Sequence, residues 1–197
     1  LRILRAFRFA AALNFKIDPQ TMNRIAKAAS SLTEITGERI HQECLLFWQS
    51  NNTSRLTHQM NQTGIWNPIF PERAVLKDIL TPNGKTTLLN ESLAVYCRLE
   101  KLISRPKEFF PERLTCIASH LLTHHRPLLK ASALLYPLYR GDSKILTETL
   151  NQLRFSKTDS NFILCVFKCL NRALETKLKF AGWSMDFSEI YQSLLRL

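Results

Sequence analysis

Apolar residues along this chain recur at helical intervals, and no stretch alternates apolar and polar side chains long enough to suggest a strand. The opening residues, LRILRAFRFAAALNF, show the pattern clearly. Leu4, Phe7, Ala11 and Phe15 fall three and four apart, which lines them up as a packing stripe on one side of a helix. Arg2, Arg5 and Arg8 recur every third residue and spread over about 120° of the other side. Only five glycines and eight prolines interrupt 197 residues, and long stretches are rich in Leu, Ala, Glu and Lys. Strong helix formers with few breakers predict an all-α fold, a multi-helix array with no sheet.

The apolar fraction, 45%, is enough for a substantial core. A formal charge of +11 makes a polyanionic partner plausible, with RNA the first candidate and a membrane surface the rival. No apolar run reaches the length of a transmembrane helix and no signal pattern opens the chain, so a soluble cytoplasmic protein is the default expectation. The five cysteines, at 44, 97, 116, 165 and 169, form no C-x-x-C. Cys165 and Cys169, one helical turn apart among apolar neighbours, read as core thiols rather than metal ligands.

Punctuation divides the chain into helices. Asp18-Pro19 opens the second one, with the aspartate as N-cap and the proline at the first helical position. That helix runs to about Ser31 and carries Arg24 and Lys27 on one face. Thr36 precedes the next, with Gly37 and Glu38 in its first turn, and Arg39 and Glu43 are spaced as an i,i+4 pair. A helix from about Ser54 to Thr63 stops at Gly64, and Pro68 and Pro71 mark an irregular turn in which Ile65, Trp66, Ile69 and Phe70 pack under a loop. Thr81-Pro82-Asn83-Gly84-Lys85 is the clearest break and is taken as the boundary between a first unit, 1–80, and a second, 81–197. Further helices are expected near 86–103, 111–125, 127–139, 143–153, 157–178 and 187–196, with Pro111 and Pro127 in first turns and Ser156-x-x-Asp159 as a capping box.

Two polar groupings invite a chemical reading. His120 and His124 have a spacing that can bind metal, but no H-E-x-x-H follows and Arg126 adds positive charge, so they read as surface or RNA-facing histidines. Lys168 and Arg172, with Lys177 beyond, track one helix face, either as solvated surface or as contacts to RNA phosphates.

The order R-I-L-R-A-F-R-F-A-A-x-L-x-F-x-I-D-P-x-T, followed by G-E-R-I-x-x-E, resembles the head-to-neck junction of class II tRNA nucleotidyltransferases and bacterial poly(A) polymerases. The resemblance covers Leu1 to Glu43 closely and continues weakly through Thr63-Gly64-Ile65 and Ile69-Phe70-Pro71-Glu72. It implies that residues 1–80 are a neck that binds nucleotide and RNA, and that 81–197 are a helical body. Arg2 falls on the arginine of the family's E-D-x-x-R motif, where an Asp–Arg pair is the template for the incoming base. The chain begins inside that motif, so the resemblance implies a C-terminal piece of a longer enzyme whose catalytic head, with its metal-binding D-x-D, lies upstream. No two aspartates here stand two residues apart, so neither a catalytic residue nor a metal ligand is expected in this piece. Arg5 and Arg8 would face the nucleotide phosphates or brace the head, while Glu38, Arg39 and Glu43 would be structural bracing of the neck. Arg24, Lys27, Lys168 and Arg172 would meet RNA. In the intact enzyme Mg2+ and ATP, with CTP as a further substrate, would serve addition to the 3′ end of tRNA or another RNA.

A second, weaker resemblance is to HD-type phosphohydrolases, in Asn90–Val95 and Leu129–Pro137. Glu91 replaces the first histidine and Tyr136-Pro137 the His-Asp pair, so the body is expected to be a degenerate HD-like bundle without hydrolase activity. The competing functional reading is a stand-alone helical RNA-binding or scaffold protein without catalysis.

Overall fold

The computed structural model describes residues 1–81, 84–141 and 143–179. Ten α-helices account for most of them: α1 (Arg2–Ala12), α2 (Pro19–Ala28), α3 (Gly37–Gln49), α4 (Ser54–Gln62), the single-turn α5 (Trp66–Ile69), α6 (Leu88–Ser104), α7 (Glu112–His124), α8 (Arg126–Gly141), α9 (Ser143–Gln152) and α10 (Lys157–Lys179). Short 3-10 turns fill Ala29–Glu34, Pro71–Lys77 and Pro106–Glu108. Among the described residues extended chain pairs only at the bridge between Leu80 and Thr87, so the fold is all-α. The helix expected near 187–196 lies outside the described residues.

Local chemistry explains where the helices begin and end. Asp18 Oδ2 accepts the Thr21 N–H at 2.9 Å, and Ser156 Oγ accepts the Asp159 N–H at 3.0 Å, each satisfying a donor that the helix leaves free. Thr36 stands at the N-cap of α3 without a side-chain cap bond. Gly64, with φ +73°, turns the chain out of α4.

The core is built around α8, on which α3, α6, α9 and α10 pack. The stretch expected to be an irregular turn lies deep in the interior. Trp66, Ile69 and Phe70 are all buried, Trp66 stacks on Trp48 with centroids 6.4 Å apart, and its indole N–H donates to the Thr57 carbonyl. Apolar residues from Leu4 to Phe167 form one cluster, so the break at Thr81–Lys85 does not interrupt the core.

Two local expectations change. The buried face of α1 is Leu4, Phe7 and Ala10, and Phe15 is 61% exposed, because the helix ends at Ala12 and Asn14, at φ 54°, redirects the chain. Cys165 and Cys169 are half-buried midway along α10, their sulfurs 4.0 Å apart, rather than fully in the core. Gly37 has a reason that spacing could not show. The first turn of α3 lies against the end of α9, and a Cβ there would overlap the Gln152 carbonyl oxygen and stand 3.2 Å from Leu153 Cα.

Candidate nucleic-acid interface

Packing of α1 along α3 builds a charged site. Glu43 is 7% exposed, and its carboxylate meets two guanidiniums from α1. Arg5 Nε donates to Oε1 at 2.8 Å, and Arg8 Nε lies 2.9 Å from Oε2 as an ion pair whose N–H is off the hydrogen-bond line. The expected Arg39–Glu43 pair is not formed. Arg39 stays exposed, because α1 brings two cations to Glu43 that compete for it at closer quarters. Arg5 keeps 53% of its side chain in solvent while Arg8 keeps 23%. Arg8 also lies over the Phe9 ring, 4.3 Å from its centroid.

The remaining predicted residues fall on separate elements. Arg2 is exposed one turn before Arg5, and Glu38 is exposed in the first turn of α3. Arg24 and Lys27 are exposed together on α2. Lys168 and Arg172 are exposed on α10, which packs on α8. The side chain of Lys177 lies outside the described residues. His120 and His124 are exposed with parallel rings 6.2 Å apart, and His125 stacks on Phe162.

Sequence reading missed a buried ionic cluster that joins residues on either side of the Thr81–Lys85 break. Lys130, on α8, is fully buried and pairs with Glu100 on α6. Its ammonium also donates to the Ser50 carbonyl at 2.7 Å and to Thr53 Oγ1 at 3.0 Å. Thr53 donates its one proton to Glu100 Oε1 at 3.0 Å, which leaves its lone pairs for Lys130 and for the Tyr96 hydroxyl at 2.7 Å. Glu100 Oε2 accepts both the backbone and the hydroxyl of Ser54. Burial lowers the Lys130 pKa and the Glu100 carboxylate pulls it back up. Nearby, Arg126 donates to the Gln49 carbonyl at 3.0 Å. The partners in this cluster lie far apart in sequence, so only a lysine amid LLKASALL hinted at it.

The described residues form an all-α array with exposed basic side chains on α1, α2 and α10. Residues 14–76 match the family model described as "Probable RNA and SrmB- binding site of polymerase A". Poly(A) polymerase I of Salmonella typhi is 33% identical over 88 residues, covering 45% of this chain and 18% of that protein. The CCA-adding enzyme of Ligilactobacillus salivarius is 35% identical over 83 residues, covering 41% of this chain and 20% of that enzyme. The Thermotoga maritima CCA-adding enzyme, solved with tRNA, superposes on 90% of this chain and 37% of its own with a TM-score of 0.56 at 23% identity, a likeness of fold. A CCA-adding enzyme solved with CTP gives 0.51 over 88% of this chain and 36% of its own, also at 23% identity. The likeness to poly(A) polymerases and CCA-adding enzymes thus lies in the first half of this chain, which spans about a fifth of the length of the curated relatives it matches.

Proposed function

We propose that the chain is the RNA-binding part of a nucleotidyltransferase that adds A or CCA to RNA 3′ ends. The match of residues 14–76 to an RNA-binding region carries the reading. In it, residues 1–80 act as the neck and 81–197 as the body, and a catalytic head completes the enzyme. Arg2 reads the base edge through its fork of donors. Arg5 and Arg8, held side by side by Glu43, face nucleotide phosphates or brace the head, and Glu43 with Glu38 and Arg39 keeps α3 in place. Arg24, Lys27, Lys168 and Arg172 meet RNA phosphates, a mode of duplex-RNA recognition that follows shape and backbone.

The intact protein would take ATP, and CTP in a CCA-adding enzyme, with RNA 3′-hydroxyl as the acceptor. Mg2+ is the metal such chemistry uses. Among the described residues no three His, Cys, Asp or Glu side chains converge, so these residues do not fit a metal and no step is assigned through one. Among them, too, no helix is long and apolar enough to cross a membrane, and the reading places the protein in the cytoplasm.

The test is a titration with tRNA and length-matched duplex DNA across a salt series. With about four to six phosphate contacts, log affinity should fall with log salt at a slope of roughly −3 to −5. Tighter binding to tRNA than to DNA supports the reading. No tRNA binding at low salt sinks it.

A further inference from the structure

Packing of α4 on α6 brings a thiol and an imidazole together at the surface. α4 buries Leu56, Thr57 and Met60, and α6 buries Leu93 and Tyr96. The two helices are pinned where Thr53 Oγ1 meets the Tyr96 hydroxyl at 2.7 Å and Glu100 accepts from Ser54. One residue past the fully buried Thr57 and Tyr96, each helix reaches the rim of this packing, and there Cys97 Sγ lies 3.5 Å from His58 Nε2. Cys97 is half-buried and His58 is exposed, so the pair is open to solvent.

Among the described residues no other cysteine meets an imidazole in this way. Cys44 is buried, and burial pushes its thiol up to about 12. Cys165 and Cys169 lie against each other, and burial raises Cys165. Cys116 is the more exposed thiol, but among the described residues nothing hydrogen-bonds to it, and His120, one turn further along α7, stacks on His124 instead.

Thiols react as thiolates, and a base within hydrogen-bond reach takes the proton as the sulfur attacks. With its own proton on Nδ1, His58 accepts from the thiol; as an imidazolium it donates to the thiolate, so the contact outlasts the transfer. The surroundings are cationic. Arg98 and Lys101 are exposed beside Cys97 and one turn beyond it, and Arg55 is exposed one turn before His58. α4 carries no acidic residue, Glu100 is held in the buried Lys130 cluster, and Glu91 stands nearly two turns before Cys97. Such a field favours a reagent that carries carboxylates.

We propose that Cys97 and His58 form a thiol-modification site whose substrate is a small disulfide bearing carboxylates. Cys97 Sγ attacks one sulfur of that disulfide, a new S–S bond forms as the old one breaks, and the electron pair of the broken bond leaves on the departing sulfur. His58 takes the thiol proton and passes it to the departing thiolate. The products are a mixed disulfide on Cys97 and one free thiol, so the disulfide itself is the oxidant. The inference stands apart from the RNA-binding reading.

The test incubates the whole chain with oxidised glutathione at one neutral pH, quenches with acid, and reads the adduct on each cysteine by peptide mass spectrometry. Cys97 should be modified about tenfold faster than the more exposed Cys116, a modest share of what a positioned base gives in an enzyme. His58→Gln, at an exposed position, should bring Cys97 down to the Cys116 rate with the melting temperature unchanged. Lys101→Ala should slow glutathione at Cys97 by about twofold, the scale of one exposed charge, and leave the uncharged alkylator iodoacetamide unaffected. Modification of Cys116 as fast as Cys97, or a Cys97 rate that His58→Gln leaves unchanged, overturns the site. Equal slowing of both reagents by Lys101→Ala, or of neither, overturns the choice of an anionic disulfide.

Discussion

The Cα of Gly37 faces the carbonyl of Gln152 so closely that no side chain fits between them. The residue opens α3, and the carbonyl closes α9, more than a hundred positions later. Gly37→Ala should therefore destabilise the protein by about 1–3 kcal/mol, the usual cost of overpacking against something that cannot yield easily, here backbone. Urea unfolding measures it. A loss under about 0.5 kcal/mol, the range of ordinary surface changes, would mean that the two helix ends separate freely.

Lys130→Met should cost about 3–5 kcal/mol, since it strands the buried Glu100 carboxylate without its cation. Glu100→Gln should cost less, because an amide oxygen can still accept from Ser54. The double variant should recover part of the first loss, giving a coupling of about 1–3 kcal/mol in a double-mutant cycle. Additive losses would show that the two side chains act independently.

Glu43→Ala leaves the Arg5 and Arg8 guanidiniums close together with no anion between them. Because Arg5 is half in solvent, screening reduces the penalty, and a loss of about 1–2 kcal/mol is expected. Arg2→Ala, at an exposed position, should stay within about 0.5 kcal/mol of wild type. In the intact enzyme the same Arg2→Ala change should impair nucleotide selection more than RNA binding. Steady-state constants showing weaker tRNA binding with unchanged ATP and CTP use would assign Arg2 to the phosphates instead.

Lowering the pH should weaken the fold through two histidines whose protonation is opposed in the folded state. His41 stacks on Phe155 with centroids 4.1 Å apart, and burial holds its pKa below the ordinary 6.5, against an opposing pull from Asp159. Burial lowers His125 too, and His124 and His120 push in the same direction. Between the folded and unfolded pKa values the unfolded chain binds more protons, so stability rises with pH there. Lowering the pH from 6.5 through the folded values should thus progressively destabilise the protein, and below them this contribution levels off. Urea midpoints measured from about pH 7.5 to about pH 5 follow the change, and His41→Phe should flatten it. An unchanged pH slope in that variant would assign the effect to other groups.

Much of the helical order could be read from local signals. The Asp18 and Ser156 caps and the stop at Gly64 act within three or four residues of themselves, so the residue types announce them. What was hidden depends on neighbours distant in sequence. Helical period put Phe15 on the packing stripe, but it could not show that α1 ends before reaching it. Spacing offered Arg39 to Glu43, while α1 supplies nearer cations. Of the predicted basic residues, Arg5 and Arg8 share one carboxylate, whereas the pairs on α2 and α10 belong to separate elements, a grouping no linear pattern encodes.

The Lys130 cluster also bears on how the chain can be divided. Its cation comes from after the Thr81–Lys85 break and two of its oxygen partners, Ser50 and Thr53, from before it. A polypeptide severed in that polar segment would yield two pieces, each with half a core and half an ion cluster. Such halves are suited to complementation: each poorly folded by itself, the two recovering a native assembly when mixed, at a rate set by their concentrations. The break would then be a tolerant place to insert a tag or permute the termini, since covalent continuity there adds little that the interior does not already hold together.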